Sequence, residues 1–139
     1  MPRVVHFEIT ASDPSRAVSF YKTVFGWDLQ KTDLPIEYWL ATTGKSTDPG
    51  INGAIMPREG APANIILTIA VNSFEDAVTN IEENGGKSVT PKATIPGIGT
   101  FCYCQDTEGN VFGILEPFPE SIQPPAKKLV KKVKKAKAT

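Results

Sequence analysis

Cysteine is scarce: only Cys102 and Cys104 occur in 139 residues, one residue apart. With no second pair there is neither a disulfide framework nor a four-thiolate zinc site. Two small, half-buried residues in a reducing compartment are expected instead. Histidine occurs once, at His6, so any histidine chemistry falls on that residue. No apolar run reaches the ~18 residues of a membrane span. The opening Met-Pro-Arg-Val-Val-His has no basic segment leading into an apolar stretch and a cleavage site, so a soluble, cytoplasmic protein is expected. At this length one globular domain hides roughly two-thirds of the unfolded chain's surface and needs no covalent or metal staple.

The net charge of zero conceals a division. All 15 acidic residues lie within residues 1–125 with 8 of the 15 Lys and Arg, leaving the body at −7 and the remainder at +7. The basic stretch follows Pro124-Pro125 and has too few apolar residues to build a core, so residues 121–139 read as a disordered tail. Its lysines are expected to contact polyanions weakly, through charge alone.

The rest of the chain repeats itself at an offset of 60 residues. Ala17-Val18 is answered by Ala77-Val78, Gly26 by Gly86, and Gly53-Ala-Ile-Met-Pro57 by Gly113-Ile-Leu-Glu-Pro117. These matches define two modules, about 4–58 and 64–118, within one domain of residues 1–120. In the first, Val4 to Thr10 alternates as a half-buried strand. Ser12-Asp13-Pro14 starts a helix, Ala17, Val18, Phe20, Tyr21, Val24 and Phe25 give it an apolar face, and Gly26 stops it. Strands follow at Trp27–Lys31, Glu37–Ala41 and Gly50–Met56. The second module has strands at Ile65–Val71, Lys87–Thr90, Thr100–Gln105 and Val111–Leu115, with a helix begun by Ser73 and ended by Asn84-Gly85-Gly86.

The fold class is therefore α+β, a tandem pair of βαβββ modules. One helix covers one face of a four-stranded sheet, so the two uncovered faces are expected to oppose each other around a cleft. Alternation in the first strand puts Phe7 and Ile9 on the helix side and His6, Glu8 and Thr10 on the cleft side.

His6-Phe-Glu-Ile, Asp13-Pro, Ala17-Val-Ser-Phe-Tyr21 through Val24-Phe-Gly-Trp27, Asn84-Gly-Gly86 and Asp106-Thr-Glu-Gly-Asn110 resemble the vicinal oxygen chelate superfamily over residues 4–118. That superfamily includes glyoxalase I, bleomycin-resistance proteins and extradiol dioxygenases. The resemblance implies four metal ligands, one on the first and one on the last strand of each module. The corresponding positions here are His6, Gly53, Ile66 and Gly113, and of these only His6 has a donor. Neither a one-residue nor a two-residue shift restores a set, so neither metal nor other cofactor is expected.

The expected function is metal-independent binding of a small, partly apolar organic molecule in the cleft, as the drug-binding relatives imply. His6, Glu8, Thr10 and Thr68 would line the site, and Tyr38 and Tyr103 would supply aromatic walls. His6, with an ordinary pKa near 6.5, suits acid–base work, but with no paired nucleophile in the sequence the favoured reading is a pocket-lining histidine satisfied by a neighbouring group such as Glu8 or Thr68. The alternative is a lyase, isomerase or dioxygenase-like enzyme using His6 and Glu8, with or without a metal. Whether a reaction is catalysed stays open, as does assembly into a homodimer. Ile95-Pro-Gly-Ile-Gly99 has the composition of either a pocket lid or a crossover loop, and Glu116 is expected at the outer edge of the sheet.

Overall fold

A computed structural model describes residues 2–119; the basic tail expected at 121–139 lies outside the described residues. The chain divides into two compact units, one running from His6 to Ile65 and the other from Ile66 onward together with the chain's first residues up to Val5.

The first unit holds most of β1 (Arg3–Ala11), then α1 (Pro14–Phe25), β2 (Asp28–Lys31), β3 (Trp39–Thr42) and β4 (Gly53–Pro57). Its strands run in the order β2-β3-β4-β1. β2 to β3 and β3 to β4 are antiparallel, whereas β4 to β1 is parallel, because α1 returns the chain before β2 begins. Asp13 starts α1 by accepting from Arg16 N, with Pro14 in the first turn where a missing N–H does no harm. Gly26 ends it at φ 73°, a left-handed conformation suited to glycine, and sends its N–H back to Lys22 O.

Val18, Leu29, Ala41 and Ile55 form the buried centre beneath α1, joined by Phe7, Ile9, Ala17, Tyr21, Trp27 and Trp39. Phe7 and Ile9 thus face the helix, as their alternation requires. Trp39 lies on this side as well, whereas Tyr38 packs on Leu40 and Ala54, which form a separate buried cluster.

The second unit contains β5 (Ile65–Ala70), α2 (Phe74–Glu83), β6 (Lys87–Ser88), β7 (Ala93–Ile95), β8 (Gly99–Gln105) and β9 (Val111–Pro117). Its order is β5-β9-β8-β6, with β7 also on β8. β5 and β9 are parallel, and the other pairings are antiparallel. Ser73 caps α2 by accepting from Asp76 N. Phe74, Cys102, Cys104 and Ile114 make the buried centre below that helix, and Ala77, Val78, Ile81 and Phe112 pack against it. Cys102 and Cys104 are thus fully buried rather than half-buried.

Three local expectations change. Residues 95–99 are neither a lid nor a crossover: β7 and β8 pair as a hairpin, and Ile98 N donates to Ile95 O across its turn. Lys87 to Thr90 is shorter as a strand, ending at Ser88. Glu116 does not stand at an outer edge, because its carboxylate accepts from Phe74 N at 2.7 Å and ties the end of β9 to the start of α2.

Candidate functional site

The first unit gathers three nominated side chains on the sheet face opposite α1. His6 and Glu8 project from β1 on the side away from Phe7 and Ile9. Tyr38 arrives immediately before β3, held there by a hydrogen bond from Thr32 N to its carbonyl at 2.9 Å. Its hydroxyl donates to Glu8 Oε2 at 2.8 Å and lies 3.0 Å from His6 Nε2. A phenol has one proton to give. With that proton on the Glu8 side, Nε2 of His6 is assigned as the N–H that donates to the Tyr38 oxygen, and Nδ1 carries the lone pair of the neutral ring. The order is His6 to Tyr38 to Glu8, so Tyr38, nominated as an aromatic wall, is instead the bridge between the two other polar residues.

Burial lowers the pKa of His6 from 6.5 to about 4, because the charged ring loses its hydration. The imidazole is therefore neutral near pH 7 and offers one donor and one acceptor. Glu8 is only 6% exposed, and the phenol bond supports its carboxyl where water cannot. The same face has an apolar floor: Glu8 pairs with Ala54, Ala54 with Leu40, and Leu40 with Gln30 across the four strands. Met56 pairs with Thr10 one step along.

Thr10 shares this face but its polar atoms serve the fold. Its hydroxyl donates to Asn64 O at 2.7 Å and accepts from Arg58 Nε at 3.2 Å, while Arg58 Nη2 donates to its carbonyl at 2.9 Å. Sequence reasoning missed this brace, since nothing local to Thr10 signals a partner 48 or 54 residues away.

Thr68 and Tyr103 belong to the second unit, where both pair with Gly113, one from each side. They lie on the face away from α2, because Cys102, Cys104 and Ile114 occupy the other. Thr68 is buried and Tyr103 half-buried, its ring edge-on to Phe101 with centroids 4.9 Å apart.

The residues do not fit the four-ligand metal centre that the family resemblance implies. Gly53 pairs with Phe7 and so faces α1, not His6. The β4 positions on the His6 side are Ala54 and Met56, neither of them a His or a carboxylate. At Gly113 a side chain would meet the Phe101 ring at 2.7 Å and Thr68 Oγ1 at 3.2 Å, so the glycine position is already filled by its neighbours. Among the described residues no three His, Cys, Asp or Glu side chains are grouped to hold an ion.

Comparison with known proteins agrees with the geometry at the level of family. Residues 3–114 match the family model described as Glyoxalase/Bleomycin resistance protein/Dioxygenase superfamily, and the chain belongs to that superfamily. It is 25% identical over 115 residues to CFP32 of Mycobacterium bovis (strain ATCC BAA-935 / AF2122/97), which carries a provisional glyoxylase name; the match covers 81% of this chain and 43% of that protein. The chain thus spans less than half the length of that curated relative. A glyoxylase-like domain-containing protein of Didymella fabae is 28% identical over 116 residues, covering 77% of this chain and 88% of that one.

Among solved structures, a methylmalonyl-CoA epimerase in complex with methylmalonyl-CoA and NH4+ has TM-score 0.66 at 12% identity, covering 86% of this chain and 96% of the other. The methylmalonyl-CoA epimerase of Mycobacterium tuberculosis has TM-score 0.62 at 16% identity, covering 84% and 89%. At these identities the likeness is one of fold: α+β, with mixed sheet and two helices.

Proposed function

We propose that this chain is a metal-independent small-molecule binding protein of the glyoxalase/bleomycin-resistance type. The ligand rests on the sheet face that carries His6, Tyr38 and Glu8, within a single domain of two βαβββ modules spanning residues 4–58 and 64–118. The observation behind this reading is the ordered hydrogen-bond chain from His6 through Tyr38 to the buried Glu8 carboxylate. Three polar groups set against Leu40, Ala54 and Met56 suit a ligand with an apolar body and a few polar atoms. Thr68, Tyr103 and Thr10 are the remaining nominated contacts. Thr10 is the weakest, since its hydroxyl is already engaged on both sides. A homodimer and weak polyanion contacts of residues 121–139 belong to the same reading, as does a cytoplasmic location. Among the described residues no helix is long and apolar enough to cross a membrane.

The test is a thermal-shift and NMR screen of small aromatic and carbonyl compounds in excess EDTA. Binding that survives EDTA and weakens at least about tenfold (~1.4 kcal/mol) in both His6→Ala and Tyr38→Phe supports the proposal. Binding that requires an added divalent ion, or that ignores both substitutions, overturns it.

A second reading, acid–base catalysis, is favoured by one specific feature: the buried Glu8 carboxylate with a phenol donating to it. A carboxylate so placed could take a proton from carbon next to a carbonyl while Tyr38 reorients. Deuterium uptake from D2O at the α-carbon of a bound carbonyl compound, lost in Glu8→Gln, would establish this over simple binding.

A further inference from the structure

The hydrogen-bond series from His6 through Tyr38 to Glu8 joins three polar groups but holds only two mobile protons. A neutral imidazole carries one N–H, a phenol one O–H and a carboxylate neither. Both protons are spent inside the series: Nε2–H of His6 on the Tyr38 oxygen at 3.0 Å, and the Tyr38 hydroxyl on Glu8 Oε2 at 2.8 Å. What the imidazole turns to its other edge is therefore a lone pair, at Nδ1.

That lone pair is accessible. Among the described residues no side-chain nitrogen or oxygen is both buried and without a hydrogen-bond partner. His6 makes its hydrogen bond through Nε2, and its ring is half-buried, so Nδ1 lies where solvent reaches it. A ligand settling on this face strips that nitrogen of water, and an acceptor buried without a donor costs the full loss of its hydration. The ligand must then bring a proton to Nδ1 itself.

Neighbours on the same face have committed their own protons elsewhere. The Thr10 hydroxyl donates to Asn64 O, Arg58 turns Nε and Nη2 to Thr10, and Gln30 Nε2 points to Asp28 Oδ2 at 3.1 Å. Charge narrows the class further. Burial holds the imidazole neutral by lowering its pKa to about 4, which keeps the lone pair available near pH 7. An anionic ligand would set acceptor against acceptor beside the Glu8 carboxylate, and an ammonium would give up its hydration to the apolar floor of Leu40, Ala54 and Met56.

We propose that the ligand of this face is an uncharged hydrogen-bond donor, an alcohol or an N–H heteroaromatic with an apolar body, whose proton meets Nδ1 of His6. This rests on the binding reading above and adds to it the direction of the hydrogen bond.

The test is an NMR titration of the full chain, labelled with 15N at its single histidine, with two matched pairs of compounds. These are 1-phenylethanol against acetophenone and indole against benzofuran, in which the skeleton is kept and a donor is exchanged for an acceptor. Each donor is expected to bind at least about tenfold more tightly than its partner and to move the Nδ1 resonance away from its lone-pair position, whereas the acceptors leave that resonance in place. In His6→Phe, which keeps a ring without an acceptor, the preference within each pair should vanish. The Nδ1 signal is read in the unsubstituted protein and so decides the question if that variant misfolds. Equal affinities within the pairs, or tighter binding of acetophenone and benzofuran, would overturn the donor assignment while leaving binding on this face intact. Tighter binding of 1-phenylethylamine, as its ammonium, than of the alcohol would overturn the uncharged class. Failure of every compound to bind at millimolar concentration would remove the binding reading and this inference together.

Discussion

The Tyr38 hydroxyl donates to Glu8 Oε2 at 2.8 Å, and that bond determines which nitrogen of His6 holds its proton. A single phenolic proton cannot serve both neighbours. Once it points at the carboxylate, His6 must meet the phenol oxygen with Nε2–H, and the ring's basic lone pair is placed at Nδ1. The ring is therefore a donor toward the interior of the chain and an acceptor on its other edge.

Tyr38→Phe removes the donor from Glu8 and the acceptor from His6 while leaving the ring against Leu40 and Ala54. A buried carboxylate that loses a hydrogen bond is destabilised by about 1–3 kcal/mol. Chemical denaturation should show a loss in that range with an unchanged slope. Nitrogen chemical shifts of His6 should move away from an Nε2–H ring. A tautomer unaltered in the variant would show that the hydroxyl does not direct it.

Gly53 tests the strand register directly. A Cβ there would strike the Phe7 ring and also the Phe7 carbonyl oxygen, and the backbone atom cannot step aside as a flexible side chain can. Gly53→Ala is expected to destabilise the protein by about 1–3 kcal/mol, the usual range for overpacking. Gly44, with nothing within 4 Å of its Cβ position, is the control: Gly44→Ala should stay within about 0.5 kcal/mol. Equal melting temperatures for the two variants would contradict the Phe7–Gly53 pairing.

These two sites also show what could be read from sequence. Alternation sorted Phe7 from His6 and Glu8, because a two-residue period in one strand is a local property. Asp13-Pro14 and Gly26 likewise marked both ends of α1 through local backbone preference. The phase of β4 against β1 was not legible, since register depends on pairing across 46 residues, and a one-residue slip reverses every face. The family correspondence therefore places Gly53 in one ligand set with His6, whereas its pairing with Phe7 turns it toward α1. Tyr38 was recognised as an aromatic candidate, but its role as a bridge rests on contacts 30 and 32 residues away. Glu116 was misplaced for the same reason, its partner being the N–H of Phe74 at a distance of 42 residues.

Glu116→Ala should weaken the start of α2. The carboxylate satisfies one of the N–H groups that a helix leaves open at its first turn and places negative charge at the positive end of the helix. A loss of about 1 kcal/mol is expected, with Glu116→Gln recovering part of it because an amide oxygen still accepts. Hydrogen exchange at Phe74 N should accelerate in the alanine variant. Unchanged exchange would mean that Ser73 alone holds this turn.

The pH dependence of stability follows from His6. Its folded pKa is about 4, below the unfolded 6.5, because burial opposes the charged ring. Between those values the unfolded chain binds a proton that the folded one does not, so stability falls as pH drops from about 6.5 toward 4. The loss is on the order of 1–3 kcal/mol once partial solvent contact of the half-buried ring is allowed for. Below about 4 the folded protein protonates too, and His6 adds nothing further. Asp106 acts in a separate window. Its carboxyl is held below 3.8 by hydrogen bonds from the side chain and backbone of Asn110 and from Glu108 N, so its contribution disappears only at lower pH. Urea unfolding at pH 7.5, 6.5, 5.5 and 4.5 should therefore show a declining free energy in the wild type. In His6→Gln, which keeps a side-chain N–H for Tyr38 without titrating, the decline over this interval should be smaller by that amount. Parallel curves for the two proteins would assign the pH response to other groups and show that His6 is as readily protonated in the folded chain as in the unfolded one.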